Sequence, residues 1–140
     1  MATVFSRILD GELPGVFVWR DDRCAGFLSI NPVQPGHTLV VPRAEVDHWV
    51  DLEPDLARHL MTVAQVIARA QVQACARPRV GLLIAGLEVP HTHLHLIPMG
   101  READLHLSNA RASVPPEELE EQAAAIRAAL VDQGATGVSS

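Results

Sequence analysis

Three histidines alternate along one short run, His91-Thr92-His93-Leu94-His95-Leu96-Ile97-Pro98. Side chains alternate between the two faces of an extended segment. His91, His93 and His95 therefore share one face, and Thr92, Leu94 and Leu96 turn to the other, where a core can receive them. Neighbouring imidazoles are then roughly 6.5–7 Å apart along the strand. Such rings are costly to bury without partners, and several charged ones repel, so at least one is expected to be neutral. A neutral imidazole is a nucleophile and works as an acid or base near neutral pH. One chemistry is therefore nucleophilic attack on phosphorus by one of the three rings. A second is a three-histidine metal site, since imidazole suits zinc, copper, iron and nickel. His37, His48, His59 or His106 would supply a distant fourth ligand. A third is a hydrogen-bonded polar sheet face with no chemistry. The internal position and interleaved leucines set the run apart from a purification tag, but spacing alone leaves the three readings open.

The elements that must position these rings read as alternating strands and helices. Phe5 to Leu9 is a short apolar piece ended by the turn Asp10-Gly11. Val16–Trp19 and Cys24–Ile30 are rich in strand formers and flank the charged turn Arg20-Asp21-Asp22-Arg23. After Asn31-Pro32 and Pro35-Gly36, His37–Pro42 is almost continuously apolar, as suits a central strand covered on both faces. Leu56, Leu60, Val63, Ile67, Ala70 and Ala74 recur at helical spacing. They predict one long helix with Pro54 in its first turn and Pro78 beyond its end, and their stripe is core. Val80–Ile84 and Thr92–Pro98 complete five strands. A last helix starts near Pro115-Pro116, with acids in its first turns, an apolar face of Leu119, Ala123, Ile126 and Leu130, and Gly134 as its cap. Residues 100–114 give no clear pattern. Consecutive strands with helices beside them favour an α+β fold with a mostly antiparallel sheet.

Composition narrows the partners. The 140 residues suffice for one domain with a sizeable core, and nearly half are apolar. The net charge of -6, the absence of lysine and the scattered arginines argue against a polymeric nucleic acid. The lack of tyrosine and the low aromatic content argue against a base-stacking platform. A small ligand fits better. No charged leader with an apolar run and no membrane-length apolar stretch is visible, and Cys24 and Cys75 form no CxxC pair. A cytoplasmic protein with free thiols and no membrane partner is expected.

The His-x-His-x-His run with its apolar followers resembles the histidine triad (HIT) pattern. Upstream segments resemble the family's other blocks in order: Phe5 with Ile8 and Gly11-Glu12-Leu13-Pro14, Asp21-Asp22 through Phe27 with Ile30-Asn31-Pro32, and Pro35 to Arg43. The likeness spans about the first three-quarters of the chain and is nearest an actinobacterial subgroup. It implies a five-stranded antiparallel sheet with one long helix and a C-terminal helix, the sheets of two subunits joined in a homodimer. Residues 1–110 would form the HIT domain, and residues 111–140 a helical extension packed on it. It further implies an AMP- or GMP-like nucleotide ligand and no cofactor. His93 would attack the α-phosphorus to form a nucleotidyl-histidine intermediate. His95 would bond phosphate oxygens or the leaving group, and His91 would orient the site. Ser29, Ile30 and Asn31 would line the nucleoside pocket, and Gly86, Leu87 and Glu88 the phosphate loop.

The chain departs from the pattern in places. Ser29 stands where many relatives have an aspartate for the ribose hydroxyls, and Leu87 where they carry a glutamine beside the phosphate. Ile84-Ala85-Gly86 lacks the usual asparagine. These losses keep open a catalytically weak nucleotide-binding or sensing module. Thr3 and Ser6 occupy the places of zinc-binding cysteines in some relatives, so no metal is expected there. His37 is read as a hydrogen-bonded structural residue. Trp19 and Trp49 are read as core or dimer contacts, and Asp21-Asp22 as a turn. His48, His59 and His106 are assigned no role.

Overall fold

The computed structural model describes residues 2–139. Helix α1 (Val4–Leu9) precedes strands β1 (Phe17–Arg20), β2 (Cys24–Leu28) and β3 (Thr38–Pro42), then helix α2 (Pro54–Cys75), strands β4 (Arg79–Leu83) and β5 (Leu94–Met99), and helix α3 (Pro116–Asp132). The strands form one antiparallel sheet in the order β1-β2-β3-β5-β4. The five expected strands and both long helices are present, with ends shifted by one to a few residues. The central position expected of His37–Pro42 is that of β3, every residue of which is buried.

Two differences bear on the histidines. The apolar piece Phe5 to Leu9 is a helix, too short to show a 3.6-residue period. It is instead specified by its cap: the Thr3 hydroxyl accepts from the Ser6 amide, and Gly11 leaves the end at φ +83°. The segment expected as strand Thr92–Pro98 joins the sheet only from Leu94. Thr92 is held outside it, its amide and hydroxyl both donating to the Val46 carbonyl at 2.7 and 2.8 Å.

The sheet separates two cores. One face receives α2 and α3: Leu60, Val63 and Ile67 from α2, with Leu119, Ile126 and Leu130 from α3, pack on Val18, Val40, Leu94 and Leu96. Pro54 sits in the first turn of α2 and Gly134 turns the chain after α3, both as the sequence predicts. The opposite face carries Phe5 from α1 with Phe17, Phe27, Leu39 and Val41, and the histidines lie beside this smaller cluster. In the stretch without pattern, short 3-10 turns form at Glu102–Leu105 and Leu107–Asn109.

The turn leading into His37 is the tightest point of the frame. Gly36 has φ +86°, and a Cβ added there would stand 2.5 Å from Cys75 Sγ. Gly36→Ala is expected to cost about 1–3 kcal/mol in urea denaturation. Adding Cys75→Ala should return the part due to the clash but not the part due to φ; equal stability of Gly36→Ala and wild type would contradict this.

Candidate active site

Alternation holds through the run although pairing does not. Leu94 and Leu96 enter the larger core, and the three imidazoles gather on the other face. His93 and His95 have ring centroids 4.9 Å apart, closer than a flat strand would give. Phe5 packs edge-on to His91 and His93, at 5.7 and 4.8 Å. His91 is fully buried, His93 is 7 % exposed and His95 is half-buried.

Hydrogen-bond partners fix which nitrogen of each neutral ring carries the proton. The Pro42 carbonyl, an acceptor only, lies 2.7 Å from His91 Nε2, so Nε2–H donates to it. His91 Nδ1 then accepts from the Thr3 hydroxyl at 2.6 Å. The His91 carbonyl in turn lies 2.7 Å from His93 Nδ1, so Nδ1–H donates and the lone pair of His93 resides on Nε2.

A second chain gives His95 the opposite tautomer. The Val33 amide donates to His37 Nδ1 at 3.0 Å, which leaves the proton of His37 on Nε2. That Nε2–H donates to His95 Nδ1, also at 3.0 Å, so His95 carries its own proton on Nε2. Among the described residues, the buried side-chain polar atom without a partner is Gln71 Oε1. His93 Nε2 and His95 Nε2 make no protein hydrogen bond and are not in that class, so both reach solvent. One face thus presents an acceptor lone pair beside an N–H donor.

Burial keeps these rings neutral. It pushes His37 down to about 3, helped by the charges that His95 and His93 would carry. Burial, with the neighbouring His93, pushes His95 down to about 4. Burial also lowers His93, partly opposed by its hydrogen bond to the His91 carbonyl and by the Glu88 carboxylate.

The surroundings explain the order of the rings. Leu39 pairs with His95 across β3 and β5, so His37 lies diagonally across from His95 on the same face. Gln71 of α2, fully buried, donates to the carbonyls of Gly36 and Leu96 at 2.9 and 3.1 Å, tying together the neighbours of His37 and His95. On the other flank, Glu45 accepts from the Thr3 amide at 3.1 Å and from the Ser6 hydroxyl, locking α1 against His91. Neither Gln71 nor Glu45 was singled out in the sequence. Gln71 is a polar residue beside an apolar stripe, and Glu45 matters only once distant segments meet.

The remaining sequence candidates divide. The Ser29 amide bonds the His37 carbonyl at 2.9 Å, and its hydroxyl accepts from the Asn31 amide at 3.2 Å. Ile30 is exposed, and Asn31 Nδ2 donates to the carbonyls of Arg111 and Ala112 at 3.0 Å, tethering the strap before α3. Gly86 turns at φ +78°, and Leu87 stands 96 % exposed. Glu88 is exposed and acts on His93 through its charge. Trp19 is core, but Trp49 is half exposed. A cleft of about 430 Å³ lies elsewhere, lined by Gln34, Arg77, Gly100, Arg101 and Asp104 and by no histidine.

A metal on the triad does not fit. Both nitrogens of His91 are already engaged, and the three rings do not bring one nitrogen each within 4.8 Å of one another. At α1, Thr3 and Ser6 offer neutral hydroxyls instead of the thiolate, imidazole or carboxylate donors zinc takes. A hydrogen-bond chain orients His91 there instead.

Comparison with known proteins follows the same residues. The HIT domain model matches residues 10–102. An uncharacterized HIT-like protein of Saccharolobus solfataricus is 33 % identical over 68 % of this chain and 72 % of its own length. The adenylylsulfatase HINT3 of Arabidopsis thaliana is 31 % identical over 68 % of this chain and 51 % of its own. The crystal structure of a zinc-bound histidine triad family protein from Mycobacterium smegmatis superposes with a TM-score of 0.80 at 29 % identity, covering 96 % of each chain.

Proposed function

Since this chain belongs to the histidine triad (HIT) family, we propose that it hydrolyses or transfers a nucleotidyl group, acting at the α-phosphorus of an AMP-type substrate through His93. The observation that carries this reading is the pair of opposite tautomers. His93 Nε2 offers a lone pair, and beside it His95 Nε2 offers a proton. In the first step a P–N bond forms at His93 Nε2 as the bond from phosphorus to the leaving group breaks. The positive charge that develops on the His93 ring is shared through Nδ1–H with the His91 carbonyl. His95 donates a hydrogen bond to a phosphate oxygen or the leaving group. Water then attacks phosphorus from the vacated side and gives up a proton to solvent, the P–N bond breaks with its electron pair returning to His93 Nε2, and the nucleotide leaves. Positioning and charge stabilisation supply most of the catalysis in such transfers, so the pre-set rings matter more than added acids. The relative in Arabidopsis thaliana, an adenylylsulfatase, acts on an adenylyl compound, which supports the substrate class.

Ser29, Ile30 and Asn31 are assigned to the nucleoside side, since the Ser29 backbone is bonded to His37. Gly86, Leu87 and Glu88 are assigned to the phosphate side. Leu87 brings no donor, and this favours a second reading in which the nucleotide is bound but turned over slowly. Residues 111–139 are taken as an extension of the same folded unit, because α3 packs into the larger core; the last residue of the expected extension 111–140 lies outside the described residues. A homodimer joined at the outer edge of β4, where Leu82 is 40 % exposed, completes the proposal. None of the described helices is long and apolar enough to cross a membrane.

The test is mass spectrometry of protein quenched during turnover of an AMP phosphoramidate. An AMP-sized adduct that fragmentation localises to His93 is expected. Turnover without any adduct, or with the adduct on His91 or His95, would refute the mechanism; a bound nucleotide without turnover would favour the binding reading.

A further inference from the structure

A second chemical cluster lies away from the triad, where the β1–β2 hairpin meets α2. Asp21 occupies the hairpin turn, Cys24 opens β2, and His59 projects from α2. Sequence reading took the first as a turn, the second as a free thiol and the third as unassigned. In the folded chain, one ligand-type atom from each lies within 4.8 Å of the other two. His59 Nε2 is 2.8 Å from Asp21 Oδ2, and Cys24 Sγ is 3.5 Å from the same oxygen. The other carboxylate oxygen, Oδ1, accepts from the amides of Arg23 and Cys24, both at 2.8 Å, and Trp19 Nε1 donates to Oδ2 at 2.9 Å. The carboxylate is therefore fixed in place before any further ligand arrives. Among the described residues this is the grouping of histidine, cysteine and acid able to hold a metal ion.

We propose that Asp21, Cys24 and His59 form a site for a zinc-class divalent transition metal that clips α2 to the β1–β2 hairpin. A sulfur, a nitrogen and an oxygen donor form the mixed set that zinc accepts and that magnesium or calcium, which need oxygen donors, do not. Zinc bond lengths place tetrahedral ligands roughly 3.4–3.6 Å apart, so the Cys24–Asp21 spacing already fits and the His59–Asp21 pair must open by roughly half an ångström. Cys24 is fully buried, whereas His59 and Asp21 side chains keep 27 % and 20 % of their surface. The ion enters from that side, and the fourth position faces water. Binding replaces the His59 Nε2···Asp21 Oδ2 contact: the bound ring offers its Nε2 lone pair with one proton kept on Nδ1, any further proton passes to solvent, and the Cys24 thiol releases one proton to solvent.

Cobalt(II) is the probe, because a cysteine thiolate bound to it gives a near-ultraviolet charge-transfer band that imidazoles alone do not. Wild-type protein and Cys75→Ser, titrated with Co(II), should both show the band, and Zn(II) should displace it. Cys24→Ser should abolish it. His59→Ala, a change on a half-exposed helix position, should keep the fold by circular dichroism and weaken Co(II) by at least the roughly 10–100-fold seen for lesser changes around a metal. No band in wild type, a band that survives in Cys24→Ser, a band that requires Cys75, or unchanged affinity in His59→Ala would each overturn the proposal. Visible ligand-field bands without charge transfer would place the ion on imidazoles elsewhere and overturn it equally. None of these readouts uses nucleotide turnover, so the site stands or falls independently of the proposed activity.

Discussion

His93→Ala is expected to lower kcat on an AMP phosphoramidate by at least about 10⁴-fold, the scale seen when a nucleophile that forms a covalent intermediate is removed. The loss should appear in kcat with little change in KM, because His95 and the loop groups that meet the ligand remain. His93 also packs on Phe5 at 4.8 Å, so alanine leaves a gap and some stability is lost with it. His93→Asn separates the two effects. An asparagine amide can still donate to the His91 carbonyl, as His93 Nδ1 does at 2.7 Å, but offers no nucleophilic nitrogen. Both variants should be folded by circular dichroism and equally inactive. An asparagine variant with near wild-type kcat would transfer the nucleophile's role to another group.

The second large effect is on stability as a function of pH. His37 and His95 are pushed down to about 3 and about 4 in the folded protein, from an ordinary value of 6.5. Above pH 6.5 both states carry neutral rings and proton binding contributes no difference. Below it the unfolded chain takes up protons that the folded chain refuses, so stability falls as the pH is lowered from 6.5 towards 4 and 3. At about pH 5 each ring accounts for about 2 kcal/mol of lost stability relative to about pH 7.5. The carboxyls held below their ordinary values of 3.8 to 4.5, those of Asp21, Glu45 and Asp104, add a loss of the same sign only as the pH falls through those values, so the interval from about pH 7.5 to about pH 5 is left to the histidines. Urea denaturation at the two pH values should show the fall, and His95→Gln should make it smaller, with His37 and His93 supplying the remainder. Equal stability at both values would mean that the buried rings are not held neutral.

This sensitivity is a consequence of the design of the site. A ring kept neutral at working pH keeps its nucleophilic lone pair, and the burial that ensures this is the same burial that penalises protonation. The chain meets the cost of four buried or half-buried imidazoles, His37, His91, His93 and His95, by giving every nitrogen except two a partner.

Much of this was legible in the residue order. Period-two alternation placed Leu94 and Leu96 in the core and the histidines opposite them, because a backbone in extended conformation has no other choice. The 3- and 4-residue spacing from Leu56 to Ala74 fixed α2 and its buried stripe for an equally local reason. The triad, the five strands and the family resemblance all rest on such short-range patterns. Long-range pairing was not legible. Nothing in the sequence joins Thr3 to His91, His37 to His95, Gln71 to Gly36 and Leu96, or Asp21 to His59, since these partners are separated by 88, 58, 35 and 25, and 38 residues. Which ring nitrogen keeps its proton depends on those contacts, and so does the difference between a row of histidines and a poised nucleophile beside a donor. Which residues share a face follows from residue order; their tautomers and neighbours follow from the folded chain, because hydrogen bonds and desolvation act between atoms that only folding brings together.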